Sequence, residues 1–266
     1  MKYRNFKITL LILNLLQVGL SIATFHFNDR FTFRIPIFVH MTTLETILNN
    51  QREVFVLDAS LSYETFVPLD LSITNKELSQ LSLKTASDYE AYLDNYLNNN
   101  NAQVAFGGYM EHRNLYQRST IFNDAQTEER TIHIGLDLWT KAGTNVLAAL
   151  DGTVHSFQYN NNLGDYGPTI ILKHLLNTIE FYTLYGHLSL QSLESLQIGQ
   201  SVAKGSIIAT LGDSTVNGDY APHLHFQIIK NIGNYSGDYP GVCSVNDVPY
   251  YLENCPDPNL LLKINQ

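Results

Sequence analysis

The chain has 266 residues, 44% of them apolar and only 15% charged, with 16 Lys and Arg against 25 Asp and Glu for a net charge of −9. That length supports one large domain or two small ones around a sizeable core, and the apolar content excludes a disordered tail. An acidic chain lacks the basic face that phosphate contacts require, so no nucleic-acid partner is expected, and two cysteines, Cys243 and Cys255, are too few for a disulfide scaffold or a four-thiolate metal site.

Lys2, Arg4 and Lys7 precede an apolar run from Ile8 to Ala23, and Ser21 and Ala23 are small residues of the kind found before a signal-peptidase cut. Residues 1–23 therefore read as a signal peptide or short anchor. The run is short for a spanning helix, and Asn14 and Gln17 interrupt it, so any membrane link runs only through the N-terminus. A start at Met41 would remove this segment. The first case predicts an exported or cell-envelope protein in which Cys243 and Cys255 can pair; the second predicts a cytoplasmic protein in which they stay reduced. The oligomeric state is not legible.

Residues 42–103 read as a mixed, partly helical N-terminal region. Leu44, Ile47 and Leu48 share a helical face, and Glu77–Leu83 and Ser87–Leu97 read as two more helices. The second carries Tyr89, Tyr92, Leu93 and Leu97 on one stripe, and Asn98–Asn101 breaks it. From Val104 onward, short β-rich segments alternate with Gly, Asn and Asp turns, which predicts a mainly β domain with an antiparallel sheet core over residues 104–234. Asn145–Ala149 and Thr153–Phe157 flank the turn Asp151-Gly152. Pro168–His174 and Glu180–His187 read as a hairpin with a five-residue connection, and Ser206–Leu211 and Pro222–Ile229 as further strands. Residues 235–266, punctuated by Pro240, Pro249, Pro256 and Pro258, read as an irregular C-terminal extension. The fold class is mainly β, α+β overall.

Three histidine contexts stand out in the β-rich part. In His133-Ile134-Gly135-Leu136-Asp137, alternation puts His133, Gly135 and Asp137 opposite an apolar face. A fully extended strand would hold His133 and Asp137 about 13 Å apart. A metal with bonds of about 2 Å can take both only if the chain bends, and Gly135 permits the bend. In His223-Leu224-His225, the two imidazoles share a face with Gln227, about 6.6 Å apart along the strand. In Tyr185-Gly186-His187, alternation places Thr183, Tyr185 and His187 on one face. Each motif alone also fits ordinary surface or structural histidines. Together, one carboxylate and several imidazoles can supply three zinc ligands, leave a fourth position for water, and keep spare imidazoles to move protons. Among the other histidines, only His112, between Glu111 and Arg113, is a candidate to line a cleft.

Over roughly Glu129–Ile229 the sequence resembles the lysostaphin- and LytM-type zinc endopeptidases, which cut peptides of peptidoglycan. His133-x-x-x-Asp137, Tyr185-Gly186-His187 and His223-x-His225 carry the resemblance in that order, supported by Ala142-Gly143-Thr144, Asp151-Gly152-Thr153-Val154 and Ile198–Gly205. The resemblance implies a folded-over antiparallel sheet of the duplicated-hybrid-motif type with an open groove. It also implies one Zn²⁺ per chain held by His133, Asp137 and His225, with His187 and His223 as catalytic residues in the cleft. One of that pair would take a proton from water and the other hydrogen-bond the developing oxyanion, in an order the sequence leaves open. The expected substrate is peptidoglycan or similar short cross-linked peptides. The rival expectation is a binding or regulatory module on the same fold, distinguished by loss of metal ligands, none of which is missing here.

Overall fold

The computed structural model describes residues 20–27, 31–38, 43–81, 83–113 and 128–265. Residues 1–19, most of the expected targeting segment, and Met41 lie outside the described residues. Among the described residues, no helix is long and apolar enough to cross a membrane. The chain divides into two compact units, 1–46 and 47–266. In the first, β1 (Leu20–Phe27) and β2 (Phe31–Phe38) form an antiparallel hairpin, with Leu20 opposite Phe38 and Phe27 opposite Phe31. The aromatic and β-branched content of both segments favours extended chain. Helix α1 (Leu44–Asn49) contains the boundary.

The second unit begins with three N-terminal elements. They are strand β3 (Phe66–Pro68), short helix α2 (Lys76–Gln80), capped by the Asn75 side chain, and helix α3 (Ala86–Asn99). A capping box fixes the start of α3: Thr85 accepts from the Asp88 N–H while Asp88 accepts from the Thr85 N–H. That cap holds Thr85 extended, and Leu81 is extended as well, so α2 ends earlier than the expected Leu83. Leu93 of α3 packs with Leu69, Leu71, Ala105, Trp139 and Ala221, and Tyr89, Tyr92 and Leu97 pack half-buried against the same cluster, realising the predicted stripe.

Among the described residues there follow β4 (Val104–Gly107), β5 (Glu111–His112), β6 (Ile132–His133), β7 (Leu136–Trp139), β8 (Asn145–Leu147), β9 (Gly152–Asn160), β10 (Gly167–Leu176), β11 (Ile179–Gly186), β12 (Ser201–Val202), β13 (Ile207–Thr210) and β14 (His223–Ile229). The main sheet has eight strands in the order β12-β9-β10-β11-β14-β7-β4-β3. It is antiparallel as expected, except where β3 joins β4 in parallel at one edge. The strands on either side of Asp151-Gly152 exist but do not pair with each other. Instead β8 pairs with β13, and β9 pairs with β10 and β12. The β10–β11 hairpin turns on two residues rather than five, because Asn177 and Thr178 both take positive φ and let the ladder run to Leu176 opposite Ile179.

A small second sheet, β15-β6-β5, is completed by β15 (Val242–Cys243). The stretch expected to be irregular holds this strand and two short helices, α4 (Val248–Asn254) and α5 (Asn259–Leu262). Its prolines do not prevent this: Pro249 lies in the first turn of α4 and Pro258 precedes α5, where no N–H is needed. Cys243 and Cys255 are buried free thiols within an apolar cluster that includes Ile132, Ile134, Tyr166 and Ile229.

Candidate metal centre and histidine groove

The strand ladders bring the first and last motifs together. β14 pairs with β7 so that His225 lies opposite Asp137 and His223 opposite Trp139, which puts each pair on one face of the sheet. The expected bend between His133 and Asp137 is present: β6 ends at His133, β7 starts at Leu136, and Ile134-Gly135 joins them. Gly135 is needed for room as well as for the bend. A Cβ there would lie 2.4 Å from the His225 ring. The bend brings two residues that extended chain would space about 13 Å apart along the backbone close enough for His133 Nε2 and Asp137 Oδ1 to lie 3.3 Å apart.

His133 Nε2, His225 Nδ1 and Asp137 Oδ1 form a triangle with sides of 2.9, 3.1 and 3.3 Å. All three residues are buried. The far nitrogens decide which protons the rings carry. His133 Nδ1 is 2.8 Å from Gly108 O, and a carbonyl only accepts, so Nδ1 donates and Nε2 presents a lone pair. His225 is the reverse: its Nε2 donates to Gln227 Oε1 at 3.0 Å. Gln227 is oriented for this because its amide nitrogen donates to Pro240 O and Cys255 Sγ. Two lone pairs and a carboxylate oxygen thus converge at hydrogen-bond distance, an arrangement that is repulsive unless a cation sits among them.

Donor separations in a tetrahedral zinc site with bonds of 2.0–2.1 Å are about 3.3 Å. The observed triangle fits that requirement, and two imidazoles with a carboxylate suit zinc chemically. Electrostatics fit too. Burial pushes the His133 pKa down to about 4, against the opposing pull of Asp137, so the ring is a neutral donor. Burial alone would raise the Asp137 pKa, but His133 and the Arg113 guanidinium outweigh it and hold the carboxyl well below its usual range.

His187 and His223 complete a groove with Arg113, Tyr166, Trp139 and Tyr220. Their rings lie 4.1 Å apart between centroids, and His223 stacks on Trp139 at 5.9 Å. His187 Nδ1 donates to Asn217 O and His223 Nδ1 donates to Ala221 O, both at 2.8 Å, so each ring keeps its lone pair on Nε2. Burial lowers both pKa values, that of His187 further through its neighbours His223 and His225. His187 departs from the alternation expected of it. Tyr185 faces Phe226 on the apolar side of the sheet, and β11 ends at Gly186, opposite His225. His187 then takes φ +62°, which turns it out of the strand pattern. That conformation is uncommon outside glycine and is held here by hydrogen bonds from His187 N to Tyr166 O and from Gly212 N to His187 O.

His112 is not among the groove residues; Arg113 lines the groove instead, with Glu111 as its ion-pair partner, because alternation through β5 turns Glu111 and Arg113 to the side opposite His112. Arg113 Nη1 lies 2.6 Å from Asp137 Oδ2, its Nε pairs with Glu111 Oε2, and its guanidinium lies over Trp139. Sequence reasoning gave no role to Arg113, Glu111 or Gln227. For Gln227 the signal was present, since it shares the His223 and His225 face and stands next to the ring that needed an acceptor.

Residues 131–236 match the family model described as Peptidase family M23. The chain is 37% identical over 99 residues to a protein of Haemophilus influenzae described as an uncharacterized metalloprotease, covering 37% of this chain and 19% of that protein. It is 35% identical over 100 residues to the peptidoglycan DD-endopeptidase ShyC of Vibrio cholerae, covering 37% and 20%. It thus spans about a fifth of the length of these relatives. The catalytic domain of lysostaphin from Staphylococcus simulans aligns at 28% identity over 46% of this chain and 80% of that one, with a TM-score of 0.32. His133, Asp137, His187, His223 and His225 all lie within the residues that match Peptidase family M23.

Proposed function

We propose that this protein is a zinc-dependent endopeptidase that hydrolyses peptide bonds in peptidoglycan or similar short cross-linked peptides. The observation that carries the reading is the triangle of two imidazole lone pairs and one carboxylate oxygen, with sides of 2.9 to 3.3 Å. The resemblance of the motifs to the lysostaphin type and the activity for which the Vibrio relative is named support the substrate class. His133, Asp137 and His225 would hold the ion. A zinc ion so bound supplies a Lewis acid and brings the pKa of water toward about 7.

The chain's own residues supply the rest. His187 and His223, neutral at pH 7 and with Nε2 lone pairs, are ready to accept a proton. Once protonated, the same nitrogen becomes a donor, able to pass the proton to the leaving amine or to hydrogen-bond the carbonyl oxygen as charge develops on it. Tyr166 and Tyr220 pack around these rings, with Tyr166 5.6 Å and Tyr220 5.1 Å from His187 between centroids, and so limit where they can point. The same reading puts the work of the protein in the cell envelope, with residues 1–23 as signal or anchor. A mature N-terminus just after Ala23, measured by mass spectrometry, is expected, and a start at Met41 overturns that localisation.

The activity test is metal analysis of the purified protein followed by release of free amines from purified peptidoglycan. About one zinc per chain and amine release that a chelator abolishes and zinc restores are expected. A zinc-loaded protein that releases no amine from peptidoglycan or from short cross-linked peptides overturns the proposal.

A further inference from the structure

We propose that Arg113 is a positioning residue that confines Asp137 to ligation through a single oxygen, and so keeps open, beside the position that water would take, a further one for the substrate. The inference rests on the metal-site reading above. The two oxygens of Asp137 have separate occupations. Oδ1 is the vertex of the donor triangle, 3.3 Å from His133 Nε2, 3.1 Å from His225 Nδ1 and 3.9 Å from His223 Nε2. Oδ2 is 2.6 Å from Arg113 Nη1. Carboxylates bind divalent ions through one oxygen or both. Here the second oxygen is held by a buried, charge-assisted hydrogen bond, the stronger kind, and turning it toward an ion would strain that bond.

The guanidinium is built in. Arg113 is 3% exposed. Its Nε pairs with Glu111, whose other oxygen accepts from Leu71 N at 3.0 Å, and its Cζ lies 5.5 Å from the Trp139 ring centre. β5 sets Glu111 directly opposite His133, so a single ladder fixes both a ligand and the anchor of the arginine. Gly108, at φ +101°, leaves the space this requires. A Cβ there would lie 2.0 Å from Arg113 Nη2 and 2.9 Å from His133 Nδ1. A cation beside a metal site is unfavourable unless its charge is offset, and Glu111 and Asp137 together offset it. The same pairing draws electron density from the ligating carboxylate and leaves the ion a stronger Lewis acid.

The test replaces the metal with cobalt(II), whose visible bands are intense in four-coordinate sites and weaker in five-coordinate ones. The wild-type chain should bind one cobalt ion with a four-coordinate spectrum. Arg113→Met should still bind one ion, with bands several-fold weaker because Asp137 closes on it with both oxygens, and Arg113→Lys, which keeps one charged donor, should recover part of the intensity. Arg113→Gln is read in the same way, and serves if the methionine variant does not fold. An unaltered four-coordinate spectrum in the methionine or glutamine variant overturns the inference while leaving the metal site standing. A wild-type chain that binds no cobalt overturns the metal-site reading itself, and the role of Arg113 with it.

Discussion

Two buried histidines lie at different points of the β10–β11 hairpin and its exit, and they differ in one respect. His174 has both ring nitrogens engaged, Nδ1 at 2.9 Å from Asp151 O and Nε2 at 2.7 Å from Thr183 Oγ1, and stacks on Phe181. His187 has Nδ1 engaged by Asn217 O and keeps its Nε2 lone pair where the groove is lined. Burial lowers both pKa values. Burial and a shifted pKa therefore do not mark a chemical histidine. On the proposed reading, what would mark it is an uncommitted nitrogen beside a groove, and the candidate metal triangle, three donor atoms aimed at one point, is the extreme case.

The largest effect should come from removing a vertex of that triangle. Asp137→Ala should lose tight metal retention and reduce hydrolysis to background, as metal analysis and amine release would register. It also leaves the buried Arg113 with Glu111 as its carboxylate partner in place of two, so the variant should lose stability in urea unfolding, by less than the ~3–5 kcal/mol of a fully unpaired buried charge. His187→Ala and His223→Ala should instead keep the metal and lose about 10²–10⁴-fold in turnover. If either released zinc as readily as the Asp137 variant, the division between holding a cation and moving a proton would be wrong. Next in size is Gln227→Leu. Without the acceptor on Nε2, His225 loses what fixes its tautomer and aim, and zinc affinity should fall about 10–100-fold, measured by competition with a chelator.

Much of this contrast was legible in the chain. Local spacing alone gave the bend at Gly135, the shared face of His223 and His225, and the strand character around them, because period-two alternation survives whatever the tertiary context. The helices at 76–80 and 86–99 were legible for a similar reason, the second from the stripe of Tyr89, Tyr92, Leu93 and Leu97. What escaped depends on distant pairing or a single dihedral. Arg113 reaches Asp137 across 24 positions through a two-residue strand whose partner could not be read from its own sequence. The aim of His187 is set by φ +62°, which reverses the face that alternation assigns. β8 pairs with β13 rather than with the nearby β9, a choice made by the sheet and not by the turn between them.

The smallest effect sharpens the opening comparison from its structural side. His174 is neutral in the fold, with its pKa lowered to about 4 from 6.5 by burial. Between those two values the unfolded chain binds more protons than the folded one, so stability rises with pH there and falls on acidification, by up to about 1.4 kcal/mol per pH unit. Above pH 6.5 the group contributes no pH dependence, and below about 4 the loss levels off. His174→Gln removes this titration while keeping a polar side chain near Asp151 and Thr183. The difference in unfolding free energy between wild type and variant, measured in urea from pH 7 to 4, should therefore shrink by an amount on the order of 3 kcal/mol, while other titrating groups cancel in the subtraction. Turnover per folded molecule at pH 7 should stay within about twofold of wild type, since an imidazole with both nitrogens engaged has none left to offer a substrate. A large loss of turnover with unchanged stability would mean that His174 reaches the groove after all, and that an occupied nitrogen is not the dividing line between the two histidines.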